Sequence, residues 1–141
     1  MNARPPDGWL QLLRVVDGGY FVWRGLFKVL NGPAVWLFPR VVPALPTTPL
    51  APVIRHFILP HAVLFGWVLA ALELSGGLAL AAGWLLRPAA LLLFALNLIF
   101  LLTLGFKEPH DLALNLLMAI LNLMFAATVR RRGTWRGGSD A

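Results

Sequence analysis

The chain is 141 residues long, with 59% hydrophobic residues, 13% charged residues, a formal net charge of +6 and a mean hydropathy of +0.75. Soluble domains are about 45–50% apolar and about 25% charged, and a fold of this size has too little interior to bury such an apolar excess. The basic residues stand in short tracts beside apolar runs, which argues for orientation in a membrane and against nucleic acid as a partner. We therefore predict an all-α integral membrane protein whose main partner is the lipid bilayer.

Four apolar stretches are each close to the roughly 20 residues that a helix needs to cross a bilayer. Backbone groups in lipid must find hydrogen bonds within their own segment, so each stretch is predicted as a transmembrane helix. The helices cover about residues 9–30, 57–82, 88–106 and 112–129. We expect a single membrane domain, residues 1–141, folded as a four-transmembrane-helix bundle.

The first predicted helix carries a charged stripe. Its members are spaced by 3, 4, 3 and 4 residues and share one helical face: Arg14, Asp17, Phe21, Arg24 and Lys28. Charged groups facing lipid cost several kcal/mol each, so the stripe is expected to face the bundle interior or an aqueous cavity. Three glycines seven residues apart run beside the stripe and would let a neighbouring helix come close: Gly18, Gly25 and Gly32.

A proline-rich segment, residues 31–56, joins the first two predicted helices. Each proline removes a backbone donor and interrupts a helix, so the segment is predicted as an ordered but irregular outer loop. The second helix is expected to tolerate Pro60 in its first turns.

The other helices supply polar groups that complete a candidate intramembrane polar site. In the second helix, small residues and one acid share a face: Gly66, Ala70, Glu73 and Gly77. The third helix contributes Asn97, and the fourth contributes Asn115 and Asn122 on one face.

Two interpretations of this site stay open, and no catalytic residue is identified by either. The polar groups could form a proton path or a pocket for a quinone or small polar ligand. Alternatively they are structural, with Arg14 or Arg24 neutralising Asp17 and Glu73 while the asparagines link helices. On pairing grounds, replacing Arg24 by leucine is expected to damage folding more than replacing Glu73.

Metal and haem chemistry receives little support. His61 and His110 are weak candidates that could meet near the outer surface, but interfacial histidines are the simpler interpretation, and no metal site is predicted. Cysteine is absent from the sequence. Covalent haem, cysteine-ligated iron–sulfur clusters and thiol chemistry are therefore excluded as expectations for this chain.

Orientation follows from the basic residues. With both ends inside, seven would lie in the cytoplasm: Arg4, Arg14, Arg87, Arg130, Arg131, Arg132 and Arg136. Four would lie outside: Lys28, Arg40, Arg55 and Lys107. We predict an N-in/C-in, multi-pass protein of the cell inner (plasma) membrane.

Two segments resemble the DoxX family of small membrane proteins. The first-helix pattern is Arg14-x3-Gly18-x6-Gly25-x2-Lys28, and the second-helix pattern is Glu73-x2-Gly76-Gly77-x5-Gly83-x3-Arg87. Asn115 also stands where the family often has an asparagine. The resemblance covers about residues 12–129 and implies a four-helix membrane fold.

Some DoxX members are similar to the membrane subunit of thiosulfate:quinone oxidoreductase. The resemblance thus implies an accessory or anchoring subunit of a quinone-linked electron-transfer complex, with other membrane subunits as partners and quinone as the cofactor to consider. Two alternatives stay open: a stand-alone thiosulfate:quinone-type oxidoreductase subunit with its own quinone pocket, and a small transporter-like bundle. Whether the chain is itself an enzyme also stays open.

Overall fold

A computed structural model describes the backbone of residues 7–132 and the side chains of residues 8–128. This part of the chain is helical and contains no strand, which confirms the all-α class. Its five helices are α1 (Asp7–Asn31), α2 (Pro33–Ala44), α3 (Ala51–Ala82), α4 (Leu86–Leu104) and α5 (Pro109–Arg132). The basic C-terminal side chains used to predict orientation lie outside the described residues.

Three helices are long and apolar enough to cross a membrane: α3, α4 and the Pro109–Thr128 part of α5. The chain is therefore a helical membrane protein. Helix α1 has 25 residues but carries the charged stripe, and it does not meet the same apolar criterion.

The proline-rich segment is not an irregular loop, and that prediction was wrong. Residues 33–44 form α2, a 12-residue helix with Pro39 and Pro43 inside it. Pro33 lies at the helix start, where a missing N–H costs nothing. Pro39 and Pro43 are four residues apart, so the two carbonyl groups that they leave unpaired fall on the same exposed face.

Helix α3 begins ahead of Pro60, as expected. Its first turns are irregular, with a π turn at Ile54–Ile58 and a 3₁₀ turn at Leu59–His61 before the regular helix Ala62–Ala82. Proline lacks the N–H that an α turn uses, and a local change of helical pitch accommodates it. The helix ends at Gly83, whose φ of 77° lies in the left-handed region.

Helices α1 and α3 approach so closely that side chains are excluded from the crossing. A Cβ atom on Gly18 would lie 2.6 Å from the Ala81 amide nitrogen and 2.7 Å from the Gly77 carbonyl oxygen. Gly25 lies against Leu74 in the same way. Gly32 differs, because it has no neighbour within 4 Å and its φ of 76° makes the turn into α2.

The helices form two antiparallel pairs, α1 with α3 and α4 with α5, joined through α3 and α4. In the described chain a gap separates the backbones of α1 and α5, which meet through side chains such as Asp17 and Asn122. Helix α2 lies near this gap, where Arg40 donates to both carboxylate oxygens of Asp111 at 3.1 Å. Just after α2 in the chain, the Thr48 hydroxyl donates to the Leu102 carbonyl of α4 at 2.7 Å. Helix α2 therefore closes the gap between α1 and α5 at the end where α5 begins.

Candidate functional site

The centre of the site is a buried carboxylate shared by two cations. Glu73 is wholly buried in α3, its Oε2 atom lies 2.6 Å from Lys28 Nζ, and its Oε1 atom lies 3.4 Å from an Arg24 guanidinium nitrogen. Arg24 and Lys28 are four residues apart in α1, so they lie on the same face of the helix, one turn apart. These three groups, two on α1 and one on α3, therefore form one cluster with a net charge of +1.

Aromatic rings surround the two cations. Lys28 Nζ lies 4.5 Å from the Trp36 ring centroid and 4.7 Å from that of Phe100. The Arg24 guanidinium carbon lies 4.9 Å from the Phe100 centroid and 5.5 Å from that of Tyr20. The negative faces of the rings replace part of the water that the cations lose on burial.

The other half of the stripe makes no ion pair among the described residues. Asp17 is 2% exposed and faces Asn122 of α5, yet neither of its carboxylate oxygens has a hydrogen-bond donor in the described chain. Arg14 lies instead against Gly83, within 3 Å of where a Cβ would stand, at the carboxyl end of α3. A cation there interacts favourably with the helix dipole. Arg14 is thus placed to stabilise the end of α3.

The three asparagines have different surroundings. Asn97 and Asn122 are fully buried, and each donates to a carbonyl one turn earlier in its own helix. The side-chain oxygen of each lacks a donor among the described residues. Asn115 donates to the Asp111 carbonyl at 2.7 Å and borders a cleft. The asparagines therefore make no hydrogen bond that links two helices in the described chain.

Each of the two candidate histidines contacts a group close to it in the chain. His61 Nδ1 lies 3.2 Å from the Phe57 carbonyl oxygen, and His110 Nδ1 lies 4.0 Å from a Glu108 carboxylate oxygen. Among the described residues no group of three or more histidine, aspartate or glutamate side chains is placed to hold a metal ion.

Two clefts meet at the cluster. The apolar cleft, about 290 Å³, lies between α2, α3 and α4 and has Arg24 and Lys28 at one end. Its apolar wall includes Ile58, Phe65, Leu69, Leu72 and Ile99. The polar cleft, about 280 Å³, lies between α1, α2 and the first turns of α5. Trp36 and Arg40 line both clefts.

This arrangement suits an amphipathic ligand. The apolar cleft offers a hydrophobic wall with donors at one end, which is the usual composition of a small-molecule pocket. The donors include Arg24, Lys28 and the Trp36 indole N–H, which is buried and has no acceptor in the described chain. A ligand with oxygen acceptors at one end and an apolar body complements this shape.

Sequence reasoning missed three residues of the site. Trp36 and Arg40 fall in the segment predicted as an irregular loop, and Asp111 falls just before the predicted fourth helix. Trp36 carried a signal, since tryptophan is enriched at membrane–water interfaces, where the ends of spanning helices lie. Arg40 and Asp111 are 71 residues apart, and nothing in the local pattern of either one pointed to the other.

The sequence model of the DoxX family matches residues 9–106, from the start of α1 through the end of α4. The match contains the Arg24–Lys28–Glu73 cluster and the whole of α2. No curated protein and no solved structure matches the chain in the corresponding comparisons. Because the matched region is more than half of the sequence and contains both motifs, the chain belongs to the DoxX family.

Proposed function

We propose that this DoxX protein is an accessory membrane subunit that holds a quinone for a quinone-linked electron-transfer complex. The apolar cleft with its buried cationic end is the observation that carries the proposal. A quinone has two carbonyl oxygens that accept hydrogen bonds and an apolar ring and tail that partition into lipid. Lys28 and Arg24 supply the donors, and the leucine and isoleucine side chains of α3 and α4 supply the wall.

The accessory role is supported by the chemistry of the chain and by the family. Without cysteine, the sequence offers no thiol to pass electrons to a quinone. Other DoxX proteins are similar to the membrane subunit of thiosulfate:quinone oxidoreductase, which works beside other subunits. The electrons would therefore come from a partner, and this chain would position the acceptor in the membrane.

Native mass measurement after mild detergent extraction tests the proposal. We expect the wild-type chain to appear with a quinone adduct and with co-purifying subunits. Ile99→Trp enlarges a side chain at the edge of the apolar cleft and is expected to reduce quinone occupancy about tenfold, because overpacking costs about 1–3 kcal/mol. Leu98→Trp is the matched control, since Leu98 is exposed on the same helix and does not line either cleft.

Two outcomes would overturn the proposal. A wild-type monomer without partners or quinone, even after incubation with excess quinone, contradicts both of its parts. A lone monomer that reduces quinone with thiosulfate would instead support the stand-alone enzyme.

The proposal includes four membrane crossings with both termini in the cytoplasm. Helix α1 can cross because its charged stripe faces α3 and the two clefts rather than lipid. Thr47→Cys is expected to react with a membrane-impermeant maleimide in intact cells, whereas Ser139→Cys is expected to react only after permeabilisation. Thr47 is exposed between α2 and α3, and the absence of native cysteine removes background labelling. Labelling of Ser139→Cys in intact cells would reverse the orientation.

A further inference from the structure

The polar cleft has an excess of positive charge. Three basic side chains line it, Arg24, Lys28 and Arg40, against the single acid Asp111. Glu73 lies directly behind Lys28 and adds one more negative charge. Among the described residues around the cleft, one positive charge therefore has no counter-ion. In surroundings of low dielectric constant such a charge attracts an anion more strongly than it would in water.

The rim of the cleft is apolar and exposed. Trp23, Phe27 and Leu114 border it and are 67%, 48% and 40% exposed. They lie on α1 and α5, whose backbones are separated by a gap. Side chains of this kind are covered by acyl chains in a bilayer, so the cleft opens sideways toward lipid.

We propose that the polar cleft binds the phosphate-bearing headgroup of an anionic membrane lipid. The phosphate neutralises the surplus charge of Arg24, Lys28 and Arg40, which together supply more donors than Glu73 and Asp111 accept. The acyl chains lie over Trp23, Phe27 and Leu114. A water-soluble anion would satisfy the charge but would leave the apolar rim without a role. The polar cleft shares Arg24, Lys28 and Arg40 with the apolar cleft, but its apolar rim is its own. Lipid retention can therefore be measured whether or not quinone binds.

Lipid competition in native mass spectra tests the proposal. The full-length protein is incubated with equal amounts of phosphatidylglycerol and phosphatidylcholine of the same acyl composition, and the retained lipid is identified. The wild type is expected to retain phosphatidylglycerol about fivefold better, since one basic residue near an anionic lipid is worth about that factor. Inorganic phosphate added in a separate arm is expected not to displace the lipid.

Charge variants identify the site. Arg40→Gln removes the surplus charge from a half-exposed side chain and is expected to abolish the preference for phosphatidylglycerol. Arg40→Gln combined with Asp111→Asn restores the surplus and is expected to restore the preference. If Arg40 acted only by holding α2 to α5, the double variant would stay defective, because the ion pair remains broken. Arg55→Gln removes one charge from an exposed residue that lines neither cleft, and it serves as the control.

Three results would overturn the proposal. Equal retention of the two lipids by the wild type means that the surplus charge does not select a headgroup. Displacement of phosphatidylglycerol by inorganic phosphate identifies a site for a water-soluble anion. If Arg40→Gln and Arg55→Gln have equal effects, the preference for phosphatidylglycerol comes from the net charge of the protein and not from the polar cleft.

Discussion

Gly18→Ala is expected to lower the free energy of unfolding by about 1–3 kcal/mol, although it adds only one methyl group. The added Cβ would lie 2.6 Å from the Ala81 amide nitrogen and 2.7 Å from the Gly77 carbonyl oxygen. Both are backbone atoms of α3, so no side-chain rotation relieves the overlap and the two helices must separate. That separation also displaces the ion pairs that α1 makes with Glu73.

Gly19→Ala is the matched control for this prediction. Gly19 is the next residue in the same helix, it is exposed, and a Cβ there would meet nothing within 4 Å. The substitution is expected to be neutral or stabilising by up to about 1 kcal/mol, because alanine has the higher helix propensity. Denaturant titration of both variants in one detergent measures the difference. Equal stability of the two variants would mean that the helix crossing is looser than described.

Glu73→Leu is expected to be the most damaging single change at the site, with a loss of about 3–5 kcal/mol. It leaves Lys28 and Arg24 buried beside an apolar side chain without the shared carboxylate. Arg24→Leu is expected to cost less, because Lys28 still lies 2.6 Å from Glu73 and neutralises it. This order is the reverse of the one expected from the sequence alone. Glu73→Gln keeps an acceptor oxygen and should fall between the two.

If the loss in Glu73→Leu comes from stranded cations, removing one cation should restore stability. Adding Lys28→Met to Glu73→Leu removes one of the two stranded cations, so the double variant is expected to recover part of the lost stability. The same denaturant titration measures this recovery. If the double variant is as unstable as the sum of its single changes, the cations are solvated and the ion pairs contribute little.

The features that the sequence predicts correctly are those set by local periodicity. The spacing of Asp17, Phe21 and Lys28 places them on one face of α1, and all three are buried in the structure. Gly18 and Gly25 lie beside that face and are the residues at the close crossing. A period of 3.6 residues determines which side chains share a face whatever they pack against.

The periodicity does not determine which charged residues pair with each other. Arg14 and Arg24 are equally plausible partners for an acid from their spacing, yet Arg14 lies at Gly83 and Arg24 at Glu73. The difference comes from the vertical register of α1 against α3, which the Gly18 crossing fixes and which no single-helix pattern contains. Helix α2 was missed for another reason. A high number of prolines argues against a helix, but the positions of Pro33, Pro39 and Pro43 determine whether a helix tolerates them.

Two polar contacts hold the segment around α2, and both reach forward along the chain. The Arg40–Asp111 ion pair joins residues 71 apart, and the Thr48–Leu102 hydrogen bond joins residues 54 apart. A chain that emerges from the ribosome and enters the membrane from its N-terminus therefore makes α2 before Leu102 and Asp111 exist. The α1–α3 crossing needs no residue beyond Ala81, so it can form before either of these two contacts. Since Trp36 and Arg40 line both clefts, neither cleft takes its final shape until α5 has been synthesised and inserted.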